Sequence, residues 1–377
     1  MKKNLFICSS NFTILNSINT VINNSVFKNS ESDLIIFHRT DDMKSLSSKI
    51  KKTNIFKNVF DFPFIEKKNI FFFIYTILFP KKFIRNNIFK NKSKELIKNK
   101  YDTIISQNML YISIFRGLSK AKLFLIDEGL SSYTSRTINP KKRSVYFHIA
   151  NKILFKNKLK HENISYLLYE PKISFSKNNQ ILELSKINYK NNLLFNNLFN
   201  YKINNLYKYN KFIYLGVPIY GLKDLMINLK NTPKNFEEKS KSLISKLFKS
   251  LKYNKLIYRP HPIENIEIDK NNDNFIIDNY KNMWEIECQN QIRNDHILIS
   301  FFSTACFTPK LLFDKEPYVI IIYKILNFKF FNADKLLDRL KSIYSDPDKI
   351  IIIKDISELY KTIQKLESLS IIDNKNK

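Results

Sequence analysis

The sequence predicts an α/β protein of two Rossmann-like domains, residues 1–205 and 206–377, facing a central cleft. Three observations predict it. Short apolar runs alternate with stretches of helical spacing, the pattern of a doubly wound parallel sheet. The alternation loosens between about 140 and 210, where Asn and Lys crowd the chain, and then restarts. At 377 residues and 44% hydrophobic content, the chain is long and apolar enough for two cores.

In the first half, residues 4–8 read as a buried strand and 12–26 as a helix. Strands follow at 33–38 and 58–62. Between them lies a helix at 43–52, which Asp41 and Asp42 precede as a cap. Residues 101–106 form the next strand and 110–118 a helix. The strand 121–126 runs into Asp127-Glu128-Gly129, and 166–169 adds a strand before Pro171. The junction between domains falls near 204–211.

The second half opens with a strand at 211–216 that ends in Gly216. A helix is expected at 235–251, with Glu237 and Glu238 early and Lys late, the polarity that suits a helix dipole. The strand 256–258 stops at a loop in which Pro260 and Pro262 clamp His261 from both sides. Strand 275–278, helix 283–291 and strand 296–300 come next. The last runs into Phe301-Phe-Ser-Thr-Ala305. Strands at 318–323 and 350–353 and a helix at 357–369 close the chain.

With 14% aromatic residues, the composition excludes a disordered protein. The net charge of +29 favours polyanions or an anionic membrane face. Heavy use of Lys, Asn, Ile and Phe beside only 4 Gly has the look of biased coding, so the charge counts only in part. Cys8, Cys288 and Cys306 have no close spacing, which fits reduced thiols in a cytoplasmic protein. The first apolar run is too short for a signal-peptide core. The most apolar stretch, 70–79, lies between Lys67-Lys68 and Lys81-Lys82. It falls short of the roughly 20 residues that span a bilayer. It reads either as a buried helix or as a segment lying on anionic lipid.

Chemistry-bearing residues gather at strand ends. Open α/β sheets bind ligands outside the carboxyl ends of their strands. In the first half that end carries Asp127, Glu128 and Gly129, a turn or a general base. In the second half it carries His261 beside Arg259, an imidazole and a guanidinium that suit an anionic group of the substrate or form a proline-stiffened surface loop, and Ser303-Thr304, which read as a helix N-cap or as phosphate ligands. There is no G-x-G-x-x-G and no P-loop. His and Cys are too scattered for a zinc site. Asp346-Pro-Asp348 reads as a turn or helix start. Tyr189, Tyr201, Tyr207 and Tyr209 among lysines admit single-stranded nucleic acid, but no RNA-binding signature accompanies them.

Four stretches taken in order resemble the bacterial sialyltransferases, most closely glycosyltransferase family 52, the lipooligosaccharide sialyltransferase group. They are Asn4 to Asn16, Ile126-Asp-Glu-Gly-Leu-Ser-Ser-Tyr133, Arg259-Pro-His-Pro-Ile-Glu264 and Ser300-Phe-Phe-Ser-Thr-Ala305. The sequence departs from the family's usual pattern at Ser10-Asn11, Thr13 and Phe301-Phe302. The resemblance implies a GT-B fold with the nucleotide in the C-terminal half and the acceptor side in the N-terminal half. It implies a metal-independent, inverting transfer of sialic acid from CMP-sialic acid to a galactose-type hydroxyl of lipooligosaccharide or a similar surface glycan, with no cofactor.

By that resemblance Asp127 is the base, supported by Glu128. His261 meets the leaving phosphate with Ser303 and Thr304. Gly216 admits the nucleotide, and Glu264 positions ribose or base. A family member using a UDP-sugar is the nearest alternative, and a basic nucleic-acid-binding protein the alternative of another class. The leading reading expects a nucleotide-sugar donor, a glycolipid or oligosaccharide acceptor and no nucleic acid. It also expects peripheral association with the inner face of the cytoplasmic membrane, and allows a homodimer.

Overall fold

The computed structural model describes residues 1–38, 41–63, 99–108, 121–134, 164–176, 179–217, 242–247, 251–252, 254–262, 275–326, 329–330 and 332–375, and positions 79, 82, 96, 111–112, 115 and 226–227 between them. The expected segment 70–79 therefore lies, except for Phe79, outside the described residues. So do most of the expected helices 110–118 and 235–251, and so does Glu264.

The chain separates into two compact units, Met1–Phe199 and Asn200–Lys377. Among the described residues the first holds seven strands: β1 (Lys3–Cys8), β2 (Glu31–His38), β3 (Asn58–Pro63), β4 (Thr103–Ser106), β5 (Lys122–Ile126), β6 (Ile164–Leu168) and β7 (Ile181–Glu183). Their spatial order is β3-β2-β1-β4-β5-β6-β7, and every neighbouring pair is parallel. These strands read as unbroken apolar runs because helices and loops cover both faces of a parallel sheet. β1 and β4 are buried along nearly their whole length. β7 escaped the sequence reading because three half-exposed residues at a sheet edge carry no period.

The helix Asn11–Asn23 follows β1. The Ser10 hydroxyl accepts the Thr13 N–H while the Thr13 side chain returns to the Ser10 backbone, a reciprocal cap contributing about 1 kcal/mol. The helix stops three residues short of the expected 26. Asn24 turns extended, and its side chain accepts from Val26 N to start a separate short helix, Ser25–Lys28. The helix Asp41–Thr53 begins two residues before the expected 43, so Asp41 and Asp42 lie inside its first turn, where acids suit the helix dipole, rather than ahead of it as a cap.

The second unit holds a six-stranded parallel sheet: β8 (Phe212–Leu215), β10 (Leu256–Arg259), β11 (Phe275–Ile277), β12 (Ile297–Ser300), β13 (Tyr318–Ile321) and β15 (Ile350–Ile352), in the order β11-β10-β8-β12-β13-β15. A two-stranded antiparallel ribbon pairs β9 (Met226–Ile227) with β14 (Lys329–Phe330). One core of Phe212, Tyr214, Tyr258, Ile299, Ile320 and Ile363 joins this sheet to the closing helix Ile356–Lys375. A helix at Ala333–Lys341, absent from the sequence reading, buries Leu336, Leu337 and Leu340.

Both sheets share one topology. Each chain path lays down its first three strands outward from a central strand, then returns to that strand's other side. The strand order therefore reverses once per sheet, between β1 and β4 and between β8 and β12. Open α/β sheets hold ligands outside the carboxyl ends of their strands at such a reversal. Among the described residues no helix is long and apolar enough to cross a membrane.

Candidate functional site

In the second unit the carboxyl ends of β10, β8 and β12 lie side by side, because the three strands are adjacent and parallel. Gly216 follows β8, Pro260 and His261 follow β10, and Ser303 and Thr304 follow β12 by three and four residues. Sheet spacing of about 4.8 Å puts the outer two strands roughly 10 Å apart, the reach of a nucleotide phosphate group and its sugar. The topology thus brings these sequence-predicted residues to one edge, at the point where strand order reverses.

The edge is rigid. Gly216 N–H donates to the Arg259 carbonyl at 2.9 Å, closing the last rung between β8 and β10. The Ser300 hydroxyl, fully buried, donates to the Leu215 carbonyl at 2.8 Å, bridging β12 to β8 across the reversal point. Sequence reasoning missed Ser300 as a brace. A Ser ending an apolar strand was the available signal. Phe301 turns inward onto Tyr214. The Ser303 side chain accepts Ala305 N–H at 3.2 Å and caps the turn Thr304–Cys306. Ser303 thus has the capping role the sequence allowed, with its hydroxyl hydrogen still available to donate. His261 is half-buried, and burial holds its imidazole below the ordinary value.

Arg259 is placed differently from the expectation. Its guanidinium forms an ion pair with the buried Asp278, accompanied by the Tyr207 hydroxyl at 3.0 Å and the Asn282 carbonyl. It also lies over the Trp284 ring, 5.2 Å from the centroid. The Trp284 indole N–H donates to the Ala305 carbonyl at 2.8 Å. Arg259 is therefore a strut that reaches, through Trp284, the turn carrying Ser303 and Thr304. Its charge is answered inside the protein rather than offered to an anion.

In the first unit, β5 delivers Asp127, Glu128 and Gly129 to the carboxyl edge. Asp127 is 1% exposed. Its Oδ1 accepts Gly129 N–H at 2.7 Å; its Oδ2 accepts the Tyr133 hydroxyl and, at 3.5 Å, Tyr169 N–H. Burial raises the carboxyl from 3.8 to about 6, against the opposing pull of these donors. Gly129 sits at φ 101°, ψ −165°, a region open to glycine almost alone. Glu128 is exposed, and its N–H donates to the Ser132 hydroxyl at 2.8 Å. The reversal point of this sheet carries Ser9 and Gln107, hydrogen-bonded to each other at 2.5 Å. Neither was singled out in the sequence, because uncharged residues after a strand give no distinctive signal.

No family model matches the chain, and no curated protein matches it in sequence. Solved structures do. Arabidopsis thaliana UGT89C1, complexed with UDP, matches with a TM-score of 0.53 at 10% identity, covering 97% of this chain and 90% of that one. A protein described as a UDP-N-acetylglucosamine 2-epimerase from Listeria monocytogenes matches with 0.51 at 9% identity, covering 100% and 89%. CalG4, the calicheamicin glycosyltransferase, matches with 0.50 at 6% identity, covering 97% and 90%. The fold is GT-B, as expected. At these identities the likeness speaks for the fold alone.

Among the described residues no cluster of His, Cys, Asp and Glu could hold a metal ion. Asp346-Pro-Asp348 forms a turn in which Asp346 caps Asp348 N–H at 3.0 Å. Cys8, Cys288 and Cys306 are buried and unpaired.

Proposed function

We propose that the chain is a glycosyltransferase that uses a nucleotide-sugar donor and holds the nucleotide at the reversal point of the second sheet. One observation carries this reading: adjacent parallel strands deliver Gly216, His261, Ser303 and Thr304 to one edge beside that point. In this role Gly216, lacking a side chain, lets the backbone approach the nucleotide. His261, protonated on binding, and the two hydroxyls stabilise the charge that develops on the leaving phosphate, the largest contribution such a site makes. Glu264 is assigned ribose or base.

In the reaction a carboxylate of the Asp127-Glu128 strand end takes the proton of the acceptor hydroxyl. The acceptor oxygen forms a bond to the anomeric carbon on the face opposite the phosphate. The anomeric carbon–oxygen bond to phosphate breaks, and its electron pair leaves with the nucleotide. The anomeric centre is inverted. No metal is required.

The donor we favour is CMP-sialic acid, with a galactose-type hydroxyl of lipooligosaccharide or a similar surface glycan as acceptor, on the strength of the four sequence stretches. The second reading is a UDP-sugar, favoured by the UDP in the Arabidopsis complex and in the Listeria protein's description. The positive surface suits a glycolipid acceptor at an anionic membrane face, to which the protein attaches peripherally. A donor screen decides between the readings. Release of CMP with sialylated product supports the first, release of UDP alone the second. Tight, salt-sensitive RNA binding without turnover of any sugar nucleotide rejects both.

A further inference from the structure

Trp284 opens the helix Trp284–Asn290 and is 7% exposed. A buried indole gives up water at its N–H and needs an acceptor there. The acceptor is the Ala305 carbonyl, 2.8 Å away and 21 residues on in the chain. Ala305 is held at both ends, because its N–H donates to the Ser303 hydroxyl oxygen at 3.2 Å. The turn Thr304–Cys306, with Ser303 ahead of it, takes its position from these two bonds. The indole ring also carries the Arg259 guanidinium, 5.2 Å from its centroid, and meets Tyr207 in a T-shaped contact at 5.9 Å. Arg259 is fastened by Asp278, and its carbonyl accepts Gly216 N–H at 2.9 Å. His261 lies two residues further along. The Ser300 brace to Leu215 ends three residues short of Ser303. Beyond it, the turn after β12 is tied to the end of β10 through this one ring.

We propose that Trp284 is a positioning residue for the leaving phosphate: its N–H sets where the Ser303 and Thr304 hydroxyls stand relative to His261. It acts through Ala305 rather than by touching the donor. This rests on the function proposed above and needs only the second unit. Hydroxyl donors stabilise charge on a departing phosphate when they are already aimed at it, with no reorganisation left to make. A displacement of about 1 Å in such groups costs on the order of 100-fold in rate.

The test removes the N–H and little else. Because the chain has a single tryptophan, expression with benzothienylalanine in place of tryptophan changes Trp284 alone, exchanging N–H for sulfur in a ring of the same shape. Trp284→Phe is made beside it. Binding of CMP and of UDP to the full chain is measured by calorimetry, and turnover with whichever donor the screen finds active. Both changes are expected to raise the nucleotide Kd about ten-fold and to lower kcat by about ten- to 100-fold, with KM for the acceptor sugar unchanged. Ile363→Ala, which removes a core side chain of the closing helix, is expected to lower Tm at least as far and to leave Kd and kcat unchanged. If Trp284→Phe fails to fold, the isosteric analogue decides. Unchanged Kd and kcat in the analogue, or an equal loss in Ile363→Ala, overturns the assignment and leaves the glycosyltransferase reading standing. A wild-type chain that binds neither nucleotide and turns over no sugar nucleotide overturns both.

Discussion

Arg259 offers the sharpest test of how the second unit is built. The Asp278 side chain is 1% exposed, and Arg259 pairs with its Oδ2. Arg259→Met removes that charge and leaves the carboxylate with the Tyr207 hydroxyl at 2.5 Å and Tyr280 N–H at 3.0 Å. Breaking one side of a buried pair typically costs about 3–5 kcal/mol. The two surviving donors argue for the lower part of that range. The Asn282 carbonyl, losing its donor, and the vacated Trp284 face add about 1–2 kcal/mol. A loss of about 4 kcal/mol is expected.

Trp284 is the chain's single tryptophan and lies against Arg259, so its fluorescence during urea unfolding reports this unit alone. Arg259→Met combined with Asp278→Leu should recover most of the loss, since an apolar pair of similar volume needs no compensating charge. The reasoning fails if Arg259→Met loses under 1 kcal/mol while nucleotide affinity drops ten-fold. That result would make Arg259 the anion contact the sequence first suggested.

Gly129→Ala should lower stability by about 1–3 kcal/mol, because φ 101° with ψ −165° excludes a Cβ; calorimetry measures it, and an unchanged Tm would contradict the backbone geometry. Asp127 has a folded value of about 6 against 3.8 in the unfolded chain, so the folded state binds its proton more tightly. Its stabilisation is complete below 3.8 and is lost as pH rises through about 6, a swing of about 3 kcal/mol that Asp127→Asn should abolish in urea melts taken from pH 4 to pH 7. His261, held below its ordinary 6.5 by burial, must gain a proton to meet a phosphate. CMP or UDP should therefore bind more tightly as pH falls below that value, and His261→Ala should remove the dependence in calorimetric titrations. Turnover in the presence of EDTA should match turnover without it; a strict divalent-metal requirement would count against the proposed chemistry.

The sequence by itself determined the alternation of strands and helices, and through it two parallel sheets. A strand buried on both faces must be apolar throughout, and such runs are visible without any partner. It also placed Asp127, His261 and Ser303 at strand ends, since Gly129 and the two prolines punctuate those ends locally. Tertiary structure alone decided what the side chains do there. Arg259 and Asp278 lie 19 residues apart, on adjacent strand ends, and nothing local announces that their charges cancel inside the protein. Asp127 and Glu128 are equivalent as letters. Only the closing of Tyr133, Tyr169 and Asn16 over one face buries the first and leaves the second at the surface. Burial depends on residues 6, 42 and 111 positions away, and a reading of neighbouring residues cannot see that far.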